Sequence, residues 1–138
     1  MKYIISLTVA ALLFSTSCTK YEEGPILSLK TKKSRVANTW VVDKAYENDE
    51  DVTDNFDQYE LYTTSDGDAT LNASYSIGDF TFEFESDGTW DFQDKKENIY
   101  FDYEDDAADE KYQILKLTEN ELYLRESGGD LELQLKSK

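Results

Sequence analysis

From residue 38 onward, apolar positions recur at every second residue. The stretch "TWVVDKAY" sets Trp40, Val42 and Tyr46 on one face, and "DATLNASYSI" aligns Leu71, Ala73, Tyr75 and Ile77. "DFTFEFES" alternates Phe80, Phe82 and Phe84 with Thr81, Glu83 and Glu85. The same period runs through Trp90 and Phe92 in "TWDF", Ile99, Phe101 and Tyr103 in "NIYFDY", and Leu131, Leu133 and Leu135 in "LELQLK". A period of two belongs to strands with one dry face and one wet face, the antiparallel pattern. "SDGD" at 65–68 and "SDGT" at 86–89 read as Asp-Gly hairpin turns, in which glycine supplies the positive φ of a primed turn. "TENE" at 118–121 and "SGGD" at 127–130 separate the last three strands. Nothing carries a helical stripe over three turns. "NDEDVTDNFDQ" allows one turn of helix near residues 53–57, with Thr53 or Asp54 as its cap.

The pattern predicts an all-β domain of about eight or nine consecutive strands, mostly hairpin-linked, which closes into a barrel or packs as a sandwich to cover its edges. About eight strands enclose a space that side chains fill or that holds one small ligand. The period leaves both open.

The first residues follow a different rule. "MKYIISLTVAALLFSTSC" has a basic start at Lys2, an apolar run over residues 4–14 and small polar residues before Cys18. The run is too short to span a bilayer and has the form of a secretory signal. The segment resembles a bacterial lipoprotein signal, in which the chain is cut before a cysteine whose thiol is diacylated. Ser15 stands where such signals usually carry Leu, a relaxed form that resembles those of Bacteroidota. The alternative is an ordinary cleaved signal followed by a free thiol. Cys18 is the chain's one cysteine, so no internal disulfide is available to it. A lone exposed thiol is a liability in an exported protein, whereas a lipidated one is not.

The expected organisation is a signal peptide at 1–17, a lipidated Cys18 with a flexible tether at 18–37, and a barrel domain at 38–138. Two or three acyl chains, at about 0.8 kcal/mol per buried methylene, hold such a protein to a membrane. Thr19 after the cysteine favours the outer membrane, and "TKYEE" resembles the charged stretches that send such lipoproteins to the cell surface. The periplasmic and surface faces both stay open. The tether carries the single proline, Pro25, and a short strand is expected at 26–29.

Charge and composition narrow the chemistry. Thirty acidic against fourteen basic residues give a net charge of -16, which argues against nucleic acid as a partner. Ten Tyr, seven Phe and two Trp argue against disorder, since that much aromatic surface calls for a core. With no histidine, neither a Ser-His-Asp nor a Cys-His centre can be built, and no ordinary zinc site is available. The chain calls for no cofactor and no catalytic residue. Two acidic runs, "ENDEDVTDNFD" at 47–57 and "DYEDDAADE" at 102–110, hold carboxylates of the kind calcium takes. Asp49, Asp51 and Asp54 lack the glycine and terminal glutamate of an EF-hand loop, and both runs read as solvated loops.

At Trp40 the chain reaches a pattern with a known likeness. "NTWVVDKAYENDEDVTD", "FTFEFESDGTWDF" and "YQILKLTENELYLR" followed by "LELQLK" occur in an order similar to that of the lipocalin-like lipoproteins of Bacteroidota. The likeness covers residues 37–138, with Asn38 where that family usually has glycine. It implies an up-and-down β-barrel and, more loosely, a binding or structural role, since fold does not fix function. The aromatics expected inside are Trp40, Tyr75, Phe80, Phe82, Phe84, Trp90, Phe92, Phe101 and Tyr112. They either line a site for a small hydrophobic ligand or fill the core. Two roles therefore stand: a lipid-anchored carrier of an apolar ligand, or a filled barrel that shows its acidic loops to another envelope protein.

Overall fold

The computed structural model describes residues 30–138. Nine strands follow one another: β1 (Thr39–Glu47), β2 (Glu50–Asp51), β3 (Phe56–Thr63), β4 (Asp68–Ile77), β5 (Phe80–Gln93), β6 (Asn98–Tyr103), β7 (Glu110–Leu117), β8 (Glu121–Glu126) and β9 (Leu131–Ser137). Neighbours are antiparallel, and β9 returns to pair with β1 from Trp40↔Ser137 to Glu47↔Leu131. Eight strands thus close into the expected barrel, and β2 lies as a short extra strand beside the end of β1. The signal segment, Cys18 and the strand expected at 26–29 lie outside the described residues.

One end of the barrel is closed by a helix, α1 (Lys32–Val36), capped by the Thr31 hydroxyl, which accepts from Ser34 N at 3.1 Å. Val36 is fully buried and Arg35 nearly so. The Val36 carbonyl accepts the Trp40 indole N–H at 2.8 Å and the Thr63 hydroxyl. Residues 32–37, expected in the tether, therefore belong to the folded domain: an apolar side chain and a doubly used carbonyl fix them over the strand ends. Asn38 replaces the expected glycine without loss. Its Oδ1 accepts from Thr39 N at 2.8 Å and its Nδ2 donates to the Glu119 carbonyl at 3.2 Å.

The alternation delivers the core. Trp40, Leu61, Phe101, Leu122, Leu124 and Leu135 are at most 1% exposed and fill the barrel from the α1 end upward. Each such side chain contributes roughly 1.5–3 kcal/mol by burial.

Three expectations about strand faces and the hairpin turn fail. Tyr46 does not share a face with Trp40 and Val42. A bulge between Val42 and Lys44 advances β1 by one residue, so that Ala45 becomes the buried position. "SDGT" at 86–89 is not a turn but the middle of β5, where Gly88 pairs with Ala69 on one side and Tyr103 on the other. Gly88 has no positive φ. Glycine is needed there because a Cβ would lie 2.1 Å from the Asp102 carbonyl oxygen and 2.6 Å from Tyr103 Cα. The reversal comes earlier, at Gly78 (φ +59) and Asp79, between Ile77 and Phe80.

The third concerns the phenylalanines of "FTFEF". Phe84 is half-buried as expected, but Phe80 and Phe82 are 73% and 60% exposed. They keep the inner-face register, opposite Ile77 and Tyr75. The β4–β5 hairpin, however, runs past the end of β6, whose pairing with β5 begins only at Gly88. Residues 80–85 of β5 have no strand on that side among the described residues.

The helical turn near residue 53 is present as a 3-10 turn, Thr53–Asn55. It begins at Val52 without a side-chain cap, so neither Thr53 nor Asp54 plays that part. Asp51 Oδ1 instead accepts from Thr53 N at 2.9 Å, and Ala45 N donates to the Thr53 hydroxyl at 3.0 Å. The turn occupies the space where β1 and β3, paired only over residues 39–41, part company.

Candidate functional site

The end opposite α1 carries the 3-10 turn Asp106–Ala108 between β6 and β7, with Ala108 packed against the core. There the β4–β5 hairpin, the Thr53–Asn55 turn and the β8–β9 turn surround a rim. A cleft of about 330 Å³ opens among Glu47, Phe56, Tyr75, Ile77, Glu126 and Leu131. The strand registers explain the set. Phe56 pairs with Tyr75, Ile77 with Phe80, and Glu47 with Leu131, so the members stand on the inner face at successive strand ends. Phe56 and Tyr75 meet edge to face at 4.9 Å, and Asn55 Nδ2 donates to the Tyr75 hydroxyl at 3.4 Å.

Below the rim three phenols gather. Tyr59, Tyr103 and Tyr112 lie on the inner faces of β3, β6 and β7, with Tyr103 stacked on Phe101 at 5.9 Å and Tyr112 edge-on to it at 6.0 Å. Burial pushes the Tyr59 hydroxyl above its usual range. It does the same to Tyr103, with Tyr59 and Asp109 adding to it. Tyr112 is raised by burial first, then by Tyr59, Glu110, Tyr103 and Glu126. None of the three hydroxyls donates to another described residue.

Two carboxylates complete this level. Glu126 is the register partner of Tyr112, and Glu110 precedes Tyr112 by two residues on the same strand, so both share the inner face. Burial raises the Glu110 carboxyl, and the Glu126 charge raises it further.

The aromatics named from the sequence divide by height in the barrel. Trp40, Trp90 and Phe101 are packed core, with the Trp90 indole N–H donating to the Thr64 carbonyl at 2.8 Å. Phe92 packs against the core low in the barrel, edge-on to Trp90 at 5.2 Å. Tyr75 lines the rim cleft, Tyr112 packs against the core opposite Glu126, which lines it too, and Phe84 sits edge-on to Tyr103 at 6.0 Å. Phe80 and Phe82 stand above it on the hairpin.

The residues that sequence reading did not bring to the rim are the polar ones: Tyr59 and Glu126, and Glu47 and Glu110, read as the ends of solvated acidic runs. The signal was present, since "EKYQI" puts Glu110, Tyr112 and Ile114 in one phase and "LYLRE" does the same for Leu122, Leu124 and Glu126. Following only apolar positions hides acids that hold inward places.

Of the acidic runs, the second converges: carboxylate oxygens of Asp102, Asp106 and Asp109 lie within 4.8 Å of one another. Asp109 Oδ1 is already committed to the Tyr103 N–H at 2.7 Å, and Asp105 caps the following turn through Ala107 N at 3.0 Å. In the first run, the Thr53 hydroxyl and N–H hold the Asp51 carboxyl below its usual range, which ties Asp51 to the turn it starts.

Fold and rim together define a small closed β-barrel, packed at one end and carrying a ligand-sized apolar cleft at the other. Compared with known protein families, with curated proteins and with solved structures, the chain matches none.

Proposed function

We propose that this protein is a non-catalytic, lipid-anchored binding module, held to the outer membrane through an acylated Cys18, that takes a small, largely apolar ligand at its open rim. The carrying observation is the rim cleft itself. Its volume of about 330 Å³ lies at the small end of ligand pockets, roughly 300–1,000 Å³, and it is walled mainly by Phe56, Tyr75, Ile77 and Leu131. The filled core below means that only the upper barrel serves the ligand, a head-on fit rather than a deep lumen. The likeness of "NTWVVDKAYENDEDVTD" and the closing strands to lipocalin-like lipoproteins of Bacteroidota supports the same reading. The described chain enters the fold at α1, the closed end.

Two measurements test it. Native mass spectrometry and a fluorescent-ligand titration on the chain from Thr19 onward should show a co-purified or saturably bound small molecule; the absence of both would sink the binding role. The N-terminal peptide from membranes should carry a diacylglyceryl mass on Cys18, and Cys18→Ser should release the protein from the membrane; an unmodified thiol ends the anchor reading.

A second reading has its own observation. Phe80 and Phe82 are exposed on a projecting hairpin, a surface of the kind that marks protein contacts. In that reading the barrel docks onto another envelope protein through the hairpin. Crosslinking from position 82 in intact cells separates the two, since the contact reading requires one defined adduct.

A further inference from the structure

We propose that the rim cleft takes an amphipathic organic cation, with its amine or quaternary ammonium group among Glu47, Glu110 and Glu126 and its apolar part against Phe56, Tyr75 and Leu131. This rests on the rim being a ligand site, and it names the ligand's chemistry.

The described ion pairs lie on the outside of the protein. Lys44–Asp51, Lys111–Asp94, Lys116–Glu121, Arg125–Glu132, Lys136–Asp43 and Lys138–Glu60 all join groups on the outer wall or in turns. The inward carboxylates receive no such partner: among the described residues, Glu47, Glu110 and Glu126 meet no lysine or arginine. Register puts Glu126 opposite Tyr112, with Glu110 on the same face two residues away, and Glu47 across β9 from Glu126, opposite Leu131; Glu47 and Glu126 both line the cleft. Burial first and the Glu126 charge second raise the Glu110 carboxyl, so the ionised pair is unfavourable in the empty protein. A bound cation relieves it.

An independent observation points the same way. Tyr103 is only 4% exposed, yet its hydroxyl has no hydrogen-bond partner among the described residues. It is not among the sealed unsatisfied atoms, of which Arg35 Nε is the one found. Its oxygen is therefore not sealed, and Tyr59 and Asp109 lie close enough to act on it. With Tyr59 and Tyr112 it forms a floor of phenol oxygens that accept N–H bonds from an ammonium group. The Phe56 and Tyr75 rings give the same group aromatic faces, to which cations are drawn. Every polar element of the site suits a positive head, and a fatty acid carboxylate would meet three negative charges instead.

The test uses the chain from Thr19 onward, which keeps α1 and the β1–β9 seam that close the barrel. Octyltrimethylammonium, octanol and octanoate are titrated by calorimetry at pH 7 and low salt. The cation should bind saturably, about tenfold or more tighter than octanol, with octanoate showing no binding. The double variant Glu110→Gln, Glu126→Gln should lose that preference, so that the cation binds no tighter than octanol. The variant Glu83→Gln, Glu85→Gln removes the same charge from the outer wall and should change nothing. If octanol or octanoate binds as well as the cation, the cation inference falls and the ligand-binding reading stands. If none binds saturably, both fall. If the outer-wall variant weakens cation binding as much as the inner one, the attraction belongs to net charge and the inference is overturned.

Discussion

Gly88 offers the sharpest test of how the strands cross. A methyl group there would meet three backbone atoms, the Asp102 carbonyl oxygen at 2.1 Å, Tyr103 Cα at 2.6 Å and Asp102 C at 2.9 Å. Backbone cannot swing aside as a side chain can, so β6 must shift by roughly 1 Å to restore ordinary contact. The shift would strain the Gly88↔Tyr103 pairing and the Glu104 N–H to Asp87 carbonyl bond at 2.8 Å. It would also move Tyr103, buried and stacked on Phe101. Losing one or two such bonds costs about 1 kcal/mol each, and overpacking adds about 1–3 kcal/mol. Gly88→Ala should therefore lower stability by about 3 kcal/mol or more, a large part of the roughly 5–15 kcal/mol a domain has. Gly78 is the control: its φ is +59 and a Cβ there meets nothing within 4 Å. Gly78→Ala should cost only the left-handed penalty, about 1–2 kcal/mol, and Gly78→Asn less. At Gly88 asparagine should be no better than alanine, because the obstacle is the Cβ itself. Urea unfolding followed by fluorescence of the buried Trp40 and Trp90 reads all four variants. A Gly88→Ala loss under about 1 kcal/mol, or a clear rescue by Gly88→Asn, would refute the crossing geometry and restore a turn at that point.

Three further outcomes are expected. Leu124→Ala, at a fully buried position between β7 and β9, should cost about 2–5 kcal/mol in the same urea assay; a loss below about 1 kcal/mol would mean that the core is loosely filled there. Thr63→Val removes the hydroxyl that donates to the Val36 carbonyl and accepts from Asn38 N at 3.2 Å, so α1 should loosen by about 1–3 kcal/mol; unchanged hydrogen exchange over residues 31–37 would count against the plug. Glu110 has a raised folded-state pKa, caused by burial and then by Glu126 and opposed by the Lys111 backbone N–H, with Tyr112, Tyr59 and Tyr103 the other groups at that level. The folded state then holds more protons than the unfolded one just above the unfolded value of about 4.3, so this residue's contribution to stability falls as pH rises through that window. Glu110→Gln should gain relative to the parent between pH 3.5 and pH 7; a difference independent of pH, or of opposite sign, would refute it.

The barrel was legible because its strands are amphipathic in the simplest sense. Leu131, Leu133 and Leu135, or Ile99, Phe101 and Tyr103, announce both the strand and its inner face. What was hidden has specific causes. A single bulge after Val42 reversed the phase of β1 and exchanged Tyr46 for Ala45, and period-two reasoning has no marker for an inserted residue. Gly88 was misread because a close crossing of two backbones and a turn use the same residue for different reasons. Phe80 and Phe82 have the right phase but the wrong height: alternation gives the face of a strand, never whether a neighbour reaches that far along it. The rim went unseen for a related reason. Glu110 and Glu126 occupy inward positions, yet a reader tracking oiliness passes over them.

The unpaired flank of β5 over residues 80–85 has a consequence for the protein in bulk. A bare strand border invites another strand to add to it, and here it carries Phe80, Phe82 and Phe84. The deterrent is local repulsion: Asp79, Glu83, Glu85 and Asp87 crowd the same ribbon, so two molecules approaching border to border bring like charge together. That guard is ionic, and neutralising these side chains in acid, or screening them with concentrated salt, removes it. Under those conditions growth should begin at the hairpin, with the barrel still intact behind it.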